Sequence, residues 1–77
     1  MRAKGILRAL GEEVRACRTA LGLSQENLAD AADLHRNFIG LIERGQRNVT
    51  LLTLAAIAAA LQISVAELVG RAERRAN

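Results

Sequence analysis

The chain contains no proline, no tryptophan and no tyrosine, and its single aromatic residue is Phe38. Without proline, helix boundaries must be set by capping side chains and glycines. No segment alternates apolar and polar residues, so strands are not expected. One cysteine, Cys17, cannot form an internal disulfide, and the fold therefore does not depend on an oxidising compartment. One histidine, His35, can neither assemble a metal site nor form a catalytic pair with Cys17 on sequence grounds. Glycine-rich phosphate loops, metal-ligand clusters and supported carboxylate dyads are also missing, so no cofactor, no metal and no enzymatic chemistry are expected. No charged-then-apolar signal segment opens the chain. The longest apolar-rich run, residues 49–61, is well short of the roughly 20 residues of a membrane span. A cytoplasmic protein is the expectation.

What is present is aliphatic and basic. Hydrophobic residues make up 51% of the 77, enough for the core of one small domain over 1–77. The formal charge is +3 and the sequence pI about 10.5, which suits a nucleic-acid partner without requiring one. Five of the 11 basic residues precede residue 20, three lie between 36 and 47, and three lie in the last seven.

Helical periodicity divides the chain into five segments, an all-α fold in which five helices form a compact bundle. Ile6, Leu7, Leu10, Val14, Cys17 and Leu21 predict a first helix over about 5–20. Gly11 lies inside it, at a cost of about 1 kcal/mol against alanine, which would let the first turns fray. Cys17 falls on the apolar stripe and reads as a small buried hydrophobe. Ser24 caps a second helix to about Ala32. Asp33 tolerates the left-handed conformation of a sharp turn. A third helix runs from His35 or Arg36 to Arg44 and stops at Gly45. Thr50 caps a fourth helix, LLTLAAIAAAL, apolar on so many faces that it is expected at the buried centre, with Leu54 and Ile57 in the core. Ser64 and Glu67 form a capping-box pattern opening a fifth helix with Leu68 and Val69. The charged tail, 70–77, is expected to fray.

Helix, tight turn, helix over residues 24–45 is the layout of a DNA-reading helix-turn-helix. At roughly 100° per residue, Arg36, Asn37, Gly40 and Arg44 share one side of the third helix, with Leu41 at its margin. Phe38, Ile39 and Ile42 fall on the other side. The polar side fits major-groove chemistry: arginine pairs with guanine O6/N7, asparagine with adenine N6/N7, and Leu41 can meet a thymine methyl. The start of the second helix, at Ser24 and Gln25, offers unpaired backbone N–H groups and a positive dipole end to a phosphate. Gln46, Arg47 and Asn48 form a polar loop suited to backbone phosphates, and His35 reads as a cap or a phosphate neighbour. An ordinary solvated surface remains the alternative for each of these side chains.

The fragments Gly22-Leu23-Ser24-Gln25, Leu28-Ala29, Arg36-Asn37-Phe38-Ile39 and Ile42-Glu43-Arg44-Gly45 resemble the phage-repressor/Cro-like, or XRE, helix-turn-helix family. The resemblance continues through Arg47-Asn48, Leu54, Ile57-Ala58, Ala60-Leu61 and Ser64 to Leu68. Two positions depart from the family pattern: Asp33 stands where glycine is usual, and Val49 where proline is frequent. The resemblance implies a transcriptional regulator that binds double-stranded DNA as a homodimer on a palindromic operator. It also implies a DNA-contacting set of Ser24, Gln25, His35, Arg36, Asn37, Phe38, Gly40, Leu41, Arg44, Arg47 and Asn48. Arg18 and Glu43 would form a structural ion pair, and Val65 and Val69 on the fifth helix would lie in the dimer interface. The stretch from Glu43 to Thr50 has the flavour of small restriction–modification controller proteins. A rival reading is a protein-interaction module, antitoxin-like or adaptor, that kept the fold and lost the groove. The polar residues Arg36, Asn37 and Arg44 argue against it. A membrane-surface peptide built on the basic first helix is a weaker rival, because the apolar stripes are claimed by a core.

Overall fold

The computed structural model describes residues 3–77, all helix and connecting turn, with no strand among them. The helices are α1 (Ala3–Ala20), α2 (Gln25–Ala32), α3 (Arg36–Glu43), α4 (Leu51–Ala60) and α5 (Val65–Ala76). Each boundary has a chemical cause. The hydroxyls of Ser24, Thr50 and Ser64 accept backbone N–H groups from Asn27, Thr53 and Glu67, so three helices start on the side chain that the sequence offers. Asp33 ends α2 at φ 57°, ψ 47°, and the Leu34 N–H reaches back to the Ala29 carbonyl at 2.8 Å. Gln62 closes α4 in the same left-handed region, φ 63°, a stop signal that no glycine marks in the sequence.

All five helices feed one buried cluster, with Val14, Leu28, Ile39, Ile42, Ile57, Leu61 and Leu68 as its largest fully buried side chains. α1 is the spine: it packs along α5 and against α3, while α2 joins α3 and α4. Gly11 explains how α1 and α3 come together. A Cβ at Gly11 would collide with the main-chain carbonyls of Ile42 and Glu43. The glycine read as a weakness of α1 is therefore the notch in which the C-terminal turn of α3 rests, and the described part of α1 is continuous from Ala3.

Three other expectations change. α4 is peripheral rather than central: Ile57 is fully buried, but Leu54 is only half-buried, and Leu51 and Leu52 are 72% and 84% exposed. An all-apolar helix buries only the faces its neighbours cover, and α4 packs chiefly against α2 and α5. The tail expected to fray belongs to α5, which runs to Ala76 with Ala72 buried. Finally, the reciprocal capping box belongs to Ser24 and Asn27, whereas Ser64 caps one way only. The Glu67 carboxylate turns instead to Arg71, at 3.6 Å, and Arg74, at 3.3 Å.

The end of α5 is held by a polar cluster that crosses to α1. Arg75 Nε donates to Glu13 Oε1 at 2.6 Å, and Arg71 Nη1 stands 3.7 Å from Glu13 Oε2. The Cys17 thiol donates to Glu13 Oε2 at 3.3 Å and accepts from Arg71 Nη1 at 3.7 Å. Burial by itself would raise the Glu13 pKa, but the hydrogen bonds from Arg75 and Cys17 and the two arginine charges outweigh it and hold the carboxyl below its ordinary range. Burial, then the hydrogen bond to Glu13, push the Cys17 thiol up, so it is a poor nucleophile and sits in a more polar niche than its place on the apolar stripe suggests.

Candidate nucleic-acid interface

The two helices of the central motif are ordered by their own first turns. Ser24 Oγ accepts the Asn27 N–H at 2.9 Å while Asn27 Oδ1 accepts the Ser24 N–H at 3.2 Å. At the start of α3, His35 Nδ1 accepts the Asn37 N–H at 3.1 Å. An accepting Nδ1 leaves Nε2 as the ring's donor, and the residue lines a separate depression with Glu26, Asp30 and Arg36. His35 is thus a cap by geometry, with a donor left over.

Ser24, Gln25, Arg36, Asn37, Gly40, Leu41 and Arg44 line one shallow depression between the start of α2 and the outer side of α3. Glu26 lines it too, because it falls in the first turn of α2. Its carboxylate stands 3.7 Å from Arg36 Nη1 with both side chains largely exposed. Such a pair is worth about 0–1 kcal/mol, so a stronger anion can take Arg36 from Glu26 at little cost. The other side of α3 carries Ile39 and Ile42 into the core.

Beneath the depression lies an ion pair of better geometry. Arg18 Nε and Nη2 reach the two oxygens of Glu43 at 2.6 and 3.0 Å, and Arg18 Nη1 donates to the Leu23 carbonyl at 2.8 Å. The side chains are 11% and 4% exposed. The hydrogen bond that Arg18 donates to Glu43 raises the Arg18 pKa further above its ordinary value, so this guanidinium stays charged. Gln25 Nε2 also donates to Glu43 Oε1, at 3.0 Å. An ionised carboxylate only accepts, so this bond fixes which end of the Gln25 amide points inward, with one N–H left for a phosphate. The motif is thereby tied across three elements: α1 through Arg18, α2 through Gln25 and α3 through Glu43.

Gly40 is buried although it lies on the outer side of α3. Arg44 Nη1 would stand 3.2 Å, and Gln25 Oε1 3.7 Å, from a Cβ placed there. The missing side chain therefore makes room for these two side chains to lie across the helix, rather than only admitting a groove wall. Phe38 is half-buried between the two sides, and the Arg47 guanidinium lies over its ring, 5.2 Å from the centroid. The loop arginine is thus held against α3, a link invisible in sequence because nine residues separate the partners. Asn48 is exposed beside it. Arg8, marked in the sequence only by its basic character, has its backbone against Gly45.

No single helix among the described residues is long and apolar enough to cross a membrane, and no group of metal-binding side chains gathers among them. A helix-turn-helix family model matches residues 14–68. The control protein C.SmaI of Serratia marcescens is 52% identical over 62 residues, which span 80% of this chain and 74% of that protein. The crystal structure of the restriction–modification controller protein C.AhdI from Aeromonas hydrophila superposes with a TM-score of 0.79 at 48% identity, covering 80% of this chain and 94% of that one. The controller protein C.Esp1396I, solved as a tetramer in complex with its natural 35 base-pair operator, gives 0.83 at 28% identity over 92% of this chain and 93% of that one. An all-helical fold, the matched motif and these likenesses together establish that the chain belongs to the HTH_3 family of helix-turn-helix proteins.

Proposed function

We propose that the protein is a transcriptional regulator of the restriction–modification controller type, which binds double-stranded DNA sequence-specifically as a homodimer. The observation that carries this reading is the outer side of α3: Arg36, Asn37, Leu41 and Arg44 gather there, braced from below by the Arg18–Glu43 pair. With α3 in the major groove, Arg36 pairs with a guanine, Asn37 with an adenine, and Leu41 meets a thymine methyl. Ser24, Gln25 and the first N–H groups of α2 take a phosphate, with Arg44 lining the same depression, and His35 contacts the backbone from the start of α3. Arg47, steadied on Phe38, and Asn48 take phosphates on the far side of α3. The protein performs no chemistry; it occludes a promoter or recruits to it, and so works in the cytoplasm at the nucleoid.

One short helix reads only a few base pairs, and a two-fold dimer doubles the readout on a palindromic site. Val65 and Val69 of α5, both half-buried, fit such an interface, and the neighbouring α4 adds the exposed Leu51 and Leu52. Among the described residues these leucines are the most exposed of the large apolar side chains, which favours their being covered by the second subunit.

The test separates base reading from phosphate gripping. Arg36→Ala should weaken the preferred site and flatten base preference at one position per half-site, by about 1–3 kcal/mol of discrimination. Arg47→Ala should weaken all sequences alike and lower the salt slope by roughly one per subunit. A nearly flat response of wild-type affinity to salt would overturn the assignment, since a dimer neutralising about 6–10 phosphates loses about 10³–10⁵ in affinity between 50 and 200 mM.

A further inference from the structure

Arg18, Arg36, Arg71, Arg74 and Arg75 each stand beside a carboxylate. Among the described residues Arg8, Arg15, Arg44 and Arg47 form no ion pair, and the fold brings two of them, Arg8 and Arg44, to the same cleft. The cleft lies between the first turns of α1 and the end of α3, lined by Gly5, Arg8, Arg44, Gly45 and Gln46. It exists because of Gly45. That residue has φ +69°, and a Cβ on it would lie 2.9 Å from Arg8 Cα and 3.1 Å from Arg8 N. Only a glycine lets the α1 backbone run this close to the end of α3. The one neutral polar side chain in the cleft, Gln46, accepts from Arg44 Nε at 3.2 Å and thereby turns that guanidinium in place.

Arg44 lines both this cleft and the depression on α3, so the two form one continuous basic surface. A planar guanidinium presents several N–H donors in a fixed fork, and two of them without carboxylates fit a singly charged, multi-oxygen anion. From this arrangement we infer that Arg8 of α1, together with Arg44, forms a further phosphate-binding site that takes a DNA backbone phosphodiester beyond the bases that α3 reads. The inference rests on the proposed DNA-binding role of α3. It extends the DNA contact to a helix that the motif itself does not include. Its ligand is the phosphodiester and not a base, because Arg8 lies at the end of α3 rather than on its outer side. One such contact per subunit adds affinity without adding sequence preference.

Arg8→Gln and Arg8→Lys, measured on the preferred duplex and on random duplex across a salt series, test the site. Arg8 is exposed, and glutamine and lysine match arginine in helix propensity, so thermal midpoints should not move. Arg8→Gln should weaken both duplexes by a similar factor and lower the salt slope by about 0.9 per subunit, whereas Arg8→Lys should keep most of it. A wild-type slope retained in Arg8→Gln, or a change of base preference, would overturn the site while leaving the α3 reading intact. If wild-type protein itself binds duplex with a flat salt response, the proposed function fails first. Inorganic phosphate provides the remaining arm. If it raises the thermal midpoint of wild type but not of Arg8→Gln, while duplex slopes stay equal, the cleft holds a free anion and the phosphodiester assignment is wrong.

Discussion

Replacing Glu43 with alanine removes the acceptor for three N–H groups at once: Arg18 Nε, Arg18 Nη2 and Gln25 Nε2. Two of these come from a guanidinium inside the protein, and breaking a buried pair from one side costs about 3–5 kcal/mol, because the surviving charge is left without its partner. The structure argues for the lower end. Arg18 keeps the Leu23 carbonyl at 2.8 Å and is 11% exposed, so water reaches part of the guanidinium. About 3 kcal/mol is the expected loss. Urea titration at one fixed protein concentration measures it, since dimer formation would otherwise move the midpoint with concentration. The double variant Arg18→Met/Glu43→Leu sharpens the test. Removing both charges and filling the space with apolar atoms should leave the protein more stable than Glu43→Ala alone. DNA affinity should fall in both, because Gln25 loses its anchor. A Glu43→Ala loss of only a few tenths, or a double variant costing the sum of the two singles, would refute the view that this pair is buried and coupled.

Further outcomes follow from the same contacts. Gly11→Ala should destabilise by about 1–3 kcal/mol in thermal melts, because the added Cβ meets main-chain carbonyls of α3 that cannot rotate away. Helix propensity alone predicts a gain of about 1 kcal/mol, so the sign decides whether the notch is real. The pKa of Glu13 is depressed in the fold, so its contribution is fully present above the ordinary carboxylate range and is lost as pH falls through the lowered value. The stability gap between wild type and Glu13→Gln should therefore be constant near neutrality and close as the pH drops below about 4.5; a gap independent of pH would show that Glu13 is not held ionised. Leu52→Glu should shift the dimer towards monomer in sedimentation without lowering the thermal midpoint of the monomer, since the side chain is 84% exposed; an unchanged association constant would move the interface off α4.

Local chemistry accounts for what was legible in the residues alone. Caps such as Ser24, Thr50 and Ser64, the left-handed tolerance of Asp33 and the 3.6-residue rhythm of apolar positions all act within a turn or two. They therefore determined the five helices, the motif over 24–45 and the division of α3 into a core side and a polar side. Contacts between distant segments depend on the angles at which helices pack, and no local signal carries those angles. Packing alone decided that Gly11 is a notch and not a flaw, that Glu13 gathers Arg71 and Arg75 and extends α5 to Ala76, and that Phe38 carries Arg47. The same limit explains α4. Its sequence is apolar all round and so says nothing about which faces are covered; only the positions of α2 and α5 leave Leu51 and Leu52 in solvent while Ile57 is enclosed. Arg8 is the plainest case: a charge in the sequence, it comes to lie beside Arg44 only because Gly45, 37 residues further on, lacks the atom that would keep the two helices apart.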